Sequence, residues 1–111
     1  PALTYLNCMS NRLTWLDLSN AVELDELNVG DNKLSRLDLS QVPKLTRLVC
    51  ESNKLKKLNL SKVPALSYLW CNNNLLTKLN IQKCPNLTEI VCDSNVHIIH
   101  NPGQNVKVTR I

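Results

Sequence analysis

The feature that most restricts what this chain can become is a 21-residue repeat that runs without insertion from Leu3 to Asn86 and begins a fifth time at Leu87. So short a unit cannot bury an apolar face alone, so copies in strict register have to stack and share one core. Leu3, Leu24, Leu45, Leu66 and Leu87 open the copies, followed by Leu6, Leu27, Leu48, Leu69 and Ile90. Next come Cys8, Val29, Cys50, Cys71 and Cys92, and then Asn11, Asn32, Asn53, Asn74 and Asn95. Three further aliphatic columns begin at Leu13, Leu16 and Leu18, and a small apolar column holds Ala21, Val42, Val63 and Cys84.

Apolar residues two apart in the first part of each copy read as a short strand with one buried face, and stacking the copies pairs these strands in parallel. Where the chain leaves the strand, backbone N–H and C=O groups lose their ladder partners. The Asn column supplies a short amide, donor and acceptor together, that can bridge them between successive coils. The return segments ("LDLS", "LNLS") place two inward Leu at a spacing of two, and Pro43, Pro64 and Pro85 exclude a long helix. Single 3₁₀ turns near Ser19, Ser40, Ser61 and Gln82 are the most to expect. In the tail, His97 and His100 stand where the repeat calls for Leu, and Pro102-Gly103 precedes the alternating "VKVTRI". Residues Val106 to Ile111 are therefore expected to form a capping strand over the last coil.

"LTYLNCMSNRL", "LTRLVCESNKL" and "LSYLWCNNNLL" resemble the leucine-rich repeat signature L-x-x-L-x-L-x-x-N-x-L, with Cys at the sixth place. The copy length and the Cys column resemble the bacterial surface repeats of the internalin kind, in particular those with a cysteine ladder. The resemblance implies a right-handed leucine-rich repeat solenoid, formally of the α/β class. It would have one parallel sheet of about five strands, short extended or 3₁₀ returns and very little helix. The chain is expected to be a single domain, 1–111, with repeats 3–23, 24–44, 45–65 and 66–86 and a degenerate copy 87–111 whose cap starts at 96. Because "PALTYL" at the start duplicates "PALSYL" at 64–69, the chain starts in mid-repeat, and a fragment of a longer protein is expected.

Composition narrows the function classes. Two Gly leave no room for a glycine-rich phosphate loop, and no nucleophile, base and orienting group occur together. The expectation is a chain without enzymatic activity, cofactor or metal. No apolar run approaches the roughly 20 residues that cross a bilayer, so membrane insertion is not expected. Cys50, Cys71 and Cys92 fall one coil apart with parallel side chains, roughly 4.8 Å between neighbours, and Cys8 stands two coils before Cys50 in the same column, whereas disulfides need converging Cβ atoms nearer about 3.8 Å. They read as reduced, buried core thiols, with Cys84 buried as well. His97 and His100 read as cap histidines.

Leucine-rich repeats bind through the concave sheet, and the outward strand positions here hold a candidate site. Tyr68, Trp70, Val49 and Val91 form an apolar cluster on adjoining copies, edged by Arg47, Glu51, Glu89 and Asp93. An aromatic anchor with a charged rim has the composition of a binding hot spot. A second feature is a basic flank, with Arg12, Lys33 and Lys54 in one column and Trp15, Arg36, Lys57 and Lys78 in another, and Lys56 between. The reading is a protein-binding or adhesion module of a bacterial cell-surface or secreted protein, acting through the concave face. The alternatives are a spacer with no ligand and a binder of a glycan or anionic polymer through the basic flank. Nucleic acid is not expected, because no aromatics interleave with the cations. An uncapped N-terminal coil leaves end-to-end association open.

Overall fold

The computed structural model describes residues 2–111. The outward and inward alternation of each copy becomes a three- or four-residue strand: β1 (Tyr5–Asn7), β2 (Glu26–Asn28), β3 (Arg47–Val49), β4 (Tyr68–Trp70), β6 (Glu89–Cys92) and β8 (Lys107–Arg110). These form one parallel sheet in the order β1-β2-β3-β4-β6-β8. On the return side β5 (Lys78–Asn80) and β7 (His97–Ile99) make a second, two-stranded parallel sheet. No helix occurs among the described residues.

The sheet register is the sequence repeat. Leu6 pairs with Leu27, Leu27 with Leu48, Leu48 with Leu69 and Leu69 with Ile90. Leu27, Leu48, Leu69 and Ile90 are at most 1% exposed, and Leu34, Leu55 and Leu76 face them from the far side of each coil with the same burial. Every coil thus adds a layer of aliphatic side chains to one continuous core, which is the main favourable term in a fold of this shape. Leu6, Leu13 and Leu16 are only partly buried, because a single neighbouring coil packs on them.

The first four coils turn in the same two ways. At the end of the strand Ser10, Asp31, Ser52 and Asn73 take left-handed backbone conformations, with φ between 54° and 58°. That turn aims the next side chain inward. Asn53 Nδ2 donates to the carbonyls of Val29 (3.0 Å), Cys50 (3.2 Å) and Glu51 (3.3 Å), while its Oδ1 accepts the Leu34 N–H at 3.0 Å. Asn32 and Asn74 repeat the arrangement. At the far corner, two consecutive i to i+3 bonds meet at the small apolar column, as where Val42 N–H reaches Leu39 O and Leu45 N–H reaches Val42 O. Pro43, Pro64 and Pro85 occupy the second position of the latter turn, where a fixed φ and a missing donor suit the geometry. Isolated turns therefore take the place of the 3₁₀ segments that the return sequences allow.

The tail departs from the expected columns in three respects. The fifth return is two residues shorter, so Leu79 pairs with Ile98 and not with His100. Val96 is buried and Ile98 packs on the core, while His97 and His100 are exposed. Shortening the coil removes both imidazoles from the interior, where they would have lacked partners. Secondly, Asn95 is exposed and does not extend the amide ladder. The Asp93 carboxylate accepts the Asn73 and Asn74 N–H groups, and the Arg110 guanidinium donates to Val96 O at 2.7 Å. Thirdly, the strand expected over 106–111 joins the main sheet as its sixth parallel member, pairing Ile90 with Val108.

Two predictions follow from the ladders. Leu48→Ala, in the central layer, is expected to lower stability by about 2–5 kcal/mol through the cavity it leaves. A loss below about half a kilocalorie in urea melts would contradict this register. Asn53→Ala strands the inward Leu34 N–H and takes one of two donors from each of the Val29, Cys50 and Glu51 carbonyls, which should cost about 1–3 kcal/mol, whereas Asn95→Ala should change stability by less than about 0.5 kcal/mol. Equal effects at the two positions would show that the bridging amide is not what holds the turn.

Candidate functional site

Parallel pairing in register turns each outward column into a row of adjoining side chains. One row runs Tyr5, Glu26, Arg47, Tyr68 and Glu89, and β8 extends it to Lys107. The Arg47 guanidinium lies over the Tyr68 ring, 4.4 Å from its centroid. At that distance the cation is attracted to the ring face, which fixes both side chains and leaves Tyr68 half-buried. The neighbouring row runs Asn7, Asn28, Val49, Trp70, Val91 and Thr109. Val49 and Val91 pair directly with Trp70 from either side, and Trp70 remains 38% exposed. The sequence-predicted cluster of Tyr68, Trp70, Val49 and Val91 is therefore contiguous on the solvent face of the sheet. Lys107 and Thr109 belong to the same face, and the alternation in "VKVTRI" was the signal for them.

The rim is less uniform. Glu51 lies in the third row, between Gly30 and Asn72, and its carboxylate leans over Gly30: a Cβ there would meet Glu51 Oε1 at 1.9 Å. Only glycine admits that approach, so the charge of Glu51 is drawn toward β2. Glu89 stays beside Tyr68 in the first row. Asp93 is occupied by the backbone of the preceding coil and belongs to the turn, not to a free rim. The Asn72 Oδ1 between them is buried and meets no protein donor among the described residues.

On the return side, Trp15 is 69% exposed, and Arg36, Lys56, Lys57 and Lys78 are all exposed. A shallow cavity of about 250 Å³ at the C-terminal end is lined by Ile81, Ile98 and Val108, with His97, His100 and Arg110 among the residues around them. Among the described residues no group of three His, Cys, Asp or Glu side chains could hold a metal ion, and no helix is long and apolar enough to cross a membrane.

The fold recurs in solved structures. The functional domain of InlJ from Listeria monocytogenes, which includes a cysteine ladder, superposes with a TM-score of 0.79 at 30% identity over 94% of this chain. The chain is an internalin-like leucine-rich repeat solenoid with a cysteine ladder. An internalin, InlF, of the same organism gives a TM-score of 0.74 at 30% identity over 86% of the chain. The leucine-rich repeat domain of APL1B, at 22% identity over 96% and a TM-score of 0.76, shares the fold. The chain spans 26%, 30% and 33% of those three structures. No protein-family model matches the sequence, and no curated protein does.

In this internalin-like solenoid the ladder thiols of Cys50, Cys71 and Cys92 are buried and free, as is Cys84. Cys8 is half-buried, for the same reason as Leu6 beneath it. Burial raises the pKa of all five, and that of Cys71 is pushed up to about 12 by burial, then by the adjacent Cys92 and Asp93. A thiol held neutral at ordinary pH is a small apolar filler and a poor nucleophile. The unfolded chain releases these protons from about pH 9.0, while folded Cys71 retains its own to about 12. The contribution to stability is thus complete below the unfolded value and is lost as pH rises from about 9 toward about 12. We expect the alkaline fall in stability to be smaller in Cys71→Ala than in the wild type, and alkylation of the native protein to start at Cys8. Identical alkaline slopes, or fewer free thiols on denaturation without reductant than the sequence contains, would contradict this.

Proposed function

We propose that the chain is a non-catalytic protein-binding or adhesion module of a bacterial surface or secreted protein, and that it engages its partner through the concave sheet face around Tyr68 and Trp70. The observation that carries the reading is the registered row Val49, Trp70, Val91, an exposed indole flanked by two aliphatic side chains, with the Arg47–Tyr68 stack beside it. An aromatic anchor held between fixed neighbours loses little conformational freedom on binding, which is what hot-spot residues have in common. Variation supports the same reading. The inward columns hardly change from copy to copy, whereas the outward rows differ at every step but Asn7 to Asn28, as from Tyr5 to Glu26 to Arg47. A spacer needs no such diversity. The likeness to internalins supports a surface or secreted location.

The test is capture from surface-protein extracts by the wild-type chain and by Trp70→Ala, followed by titration of whatever purified protein depends on the tryptophan. Trp70→Ala is expected to weaken that interaction by roughly 2 kcal/mol or more, with the melting temperature nearly unchanged. Reversing Lys57 and Lys78 should alter chiefly the association rate and its salt dependence. If the reversals abolish capture and Trp70→Ala does not, the concave face is not the protein-binding surface.

A further inference from the structure

The return flank carries a separate arrangement that the concave face does not use. Between Glu51 and Glu89 the chain has no acidic residue, yet it holds Lys54, Lys56, Lys57, Lys62, Lys78 and Lys83. All six are exposed, and the one ion pair among the described residues, Lys44 with Glu23, lies outside this stretch. Like charges gathered without counter-charges destabilise a surface, and solubility alone would be served as well by mixed signs.

The grooves of this flank give the charge a shape. A groove of about 240 Å³ opens beside Trp15 and ends on Asp38 and Gln41. Asp38 also borders the next groove, about 430 Å³, with Arg36, Lys56 and Lys57. Lys56, Lys57 and Asn59 in turn border a third, about 420 Å³, which reaches Lys78, Asn80 and Thr77. The three form one trough running along the solenoid axis. It is headed by an exposed indole and crossed by a cation on each successive coil, at a pitch of roughly 4.8 Å.

The trough is also graded in charge. Asp17 and Asp38 accept the N–H groups of Ser19 and Ser40, both at 2.9 Å. In the next two coils the same turn is made by Asn59 and Asn80, which accept from Ser61 and Gln82 at 2.9 Å. The turn works equally well with either side chain, so the amide leaves the fold as it was and removes the negative charge beside Lys57 and Lys78.

We propose that this trough binds a linear acidic polysaccharide, with a pyranose ring stacked on Trp15 and the carboxylate or sulfate groups of successive rings held by Arg36, Lys57 and Lys78. The repeat of cations matches a polymer that presents its charge at regular intervals. The indole face suits the C–H face of a sugar, and Asn59, Asn80 and Thr77 offer donors and acceptors for hydroxyl groups. A phosphate polymer has no use for the indole, and a single-stranded nucleic acid needs a series of stacking platforms where this flank has one aromatic.

Oligogalacturonate, its methyl ester and inorganic polyphosphate are the three probes, each titrated into the intact chain at several salt concentrations. Oligogalacturonate is expected to bind, with affinity falling as salt rises, and the uncharged ester is expected to lose most of that affinity. Lys57→Gln with Lys78→Gln should weaken binding by roughly tenfold and lower the salt slope by about two contacts, while Trp15→Ala should weaken oligogalacturonate and leave polyphosphate unaffected. All of these positions are exposed, so unchanged melting curves will report intact folds, and Trp70→Ala should bind the sugar as the wild type does. Failure of oligogalacturonate to bind at low salt, equal binding of the ester, or an effect of Trp15→Ala on neither polymer overturns the proposal.

Discussion

Everything in this solenoid depends on pairing the backbone groups that each coil strands when it leaves the sheet. The strand is three residues long in the interior coils, and the chain must then turn through the edge of a core that is almost entirely aliphatic. Water cannot reach the groups exposed by that turn, and leucine cannot pair them. A single asparagine amide does so four times over, three times as donor and once as acceptor, and its acceptor bond reaches into the neighbouring coil. The left-handed residue before it is the cost of aiming that amide inward, at Ser10, Ser52 and the equivalent Asp31 and Asn73. Leucine columns make stacking favourable, but many registers could satisfy them. The amide makes one register obligatory.

The same constraint explains what happens where it lapses. After Asn74 the ladder passes from a neutral amide to charged groups, Asp93 taking N–H donors and Arg110 meeting carbonyls. Charge-assisted bonds are the stronger kind, and they do not need a following coil to supply the partner. A hydroxyl row reinforces the sheet at the opposite, N-terminal ends of the strands: Ser67 Oγ and Thr88 Oγ1 each donate to the preceding coil at 3.1 Å. The cysteine column occupies the last inward place before the turn, where a small side chain leaves room for the asparagine and a raised pKa keeps it uncharged.

Fixed register is also what turns a sequence column into a surface. Residues 21 apart become neighbours on one face, so Val49, Trp70 and Val91 make a row, and Arg36, Lys57 and Lys78 make another on the opposite side of the coil. The two faces are built from different positions of the same copies. Evolution can change either without touching the core, because neither row contributes an inward side chain.

The repeat by itself determined the parallel sheet, the inward leucine layers, the amide ladder as far as Asn74, and the adjacency of Tyr68 with Trp70, since all of these follow from periodicity and strand alternation. What only the tertiary structure decided lies where periodicity ends or where two side chains meet. The contraction of the fifth coil could not be read from His97 and His100, because the choice between burying imidazoles and shortening a return is made by packing against Leu79. Stacking of Arg47 on Tyr68 and the lean of Glu51 over Gly30 depend on rotamers that neighbouring strands select. The grading of the flank trough was present as Asp17, Asp38, Asn59 and Asn80, yet its meaning appeared only once the turn showed that either residue makes the same hydrogen bond. Periodicity is a property of the backbone's path, and it reaches no further than the positions that path must repeat.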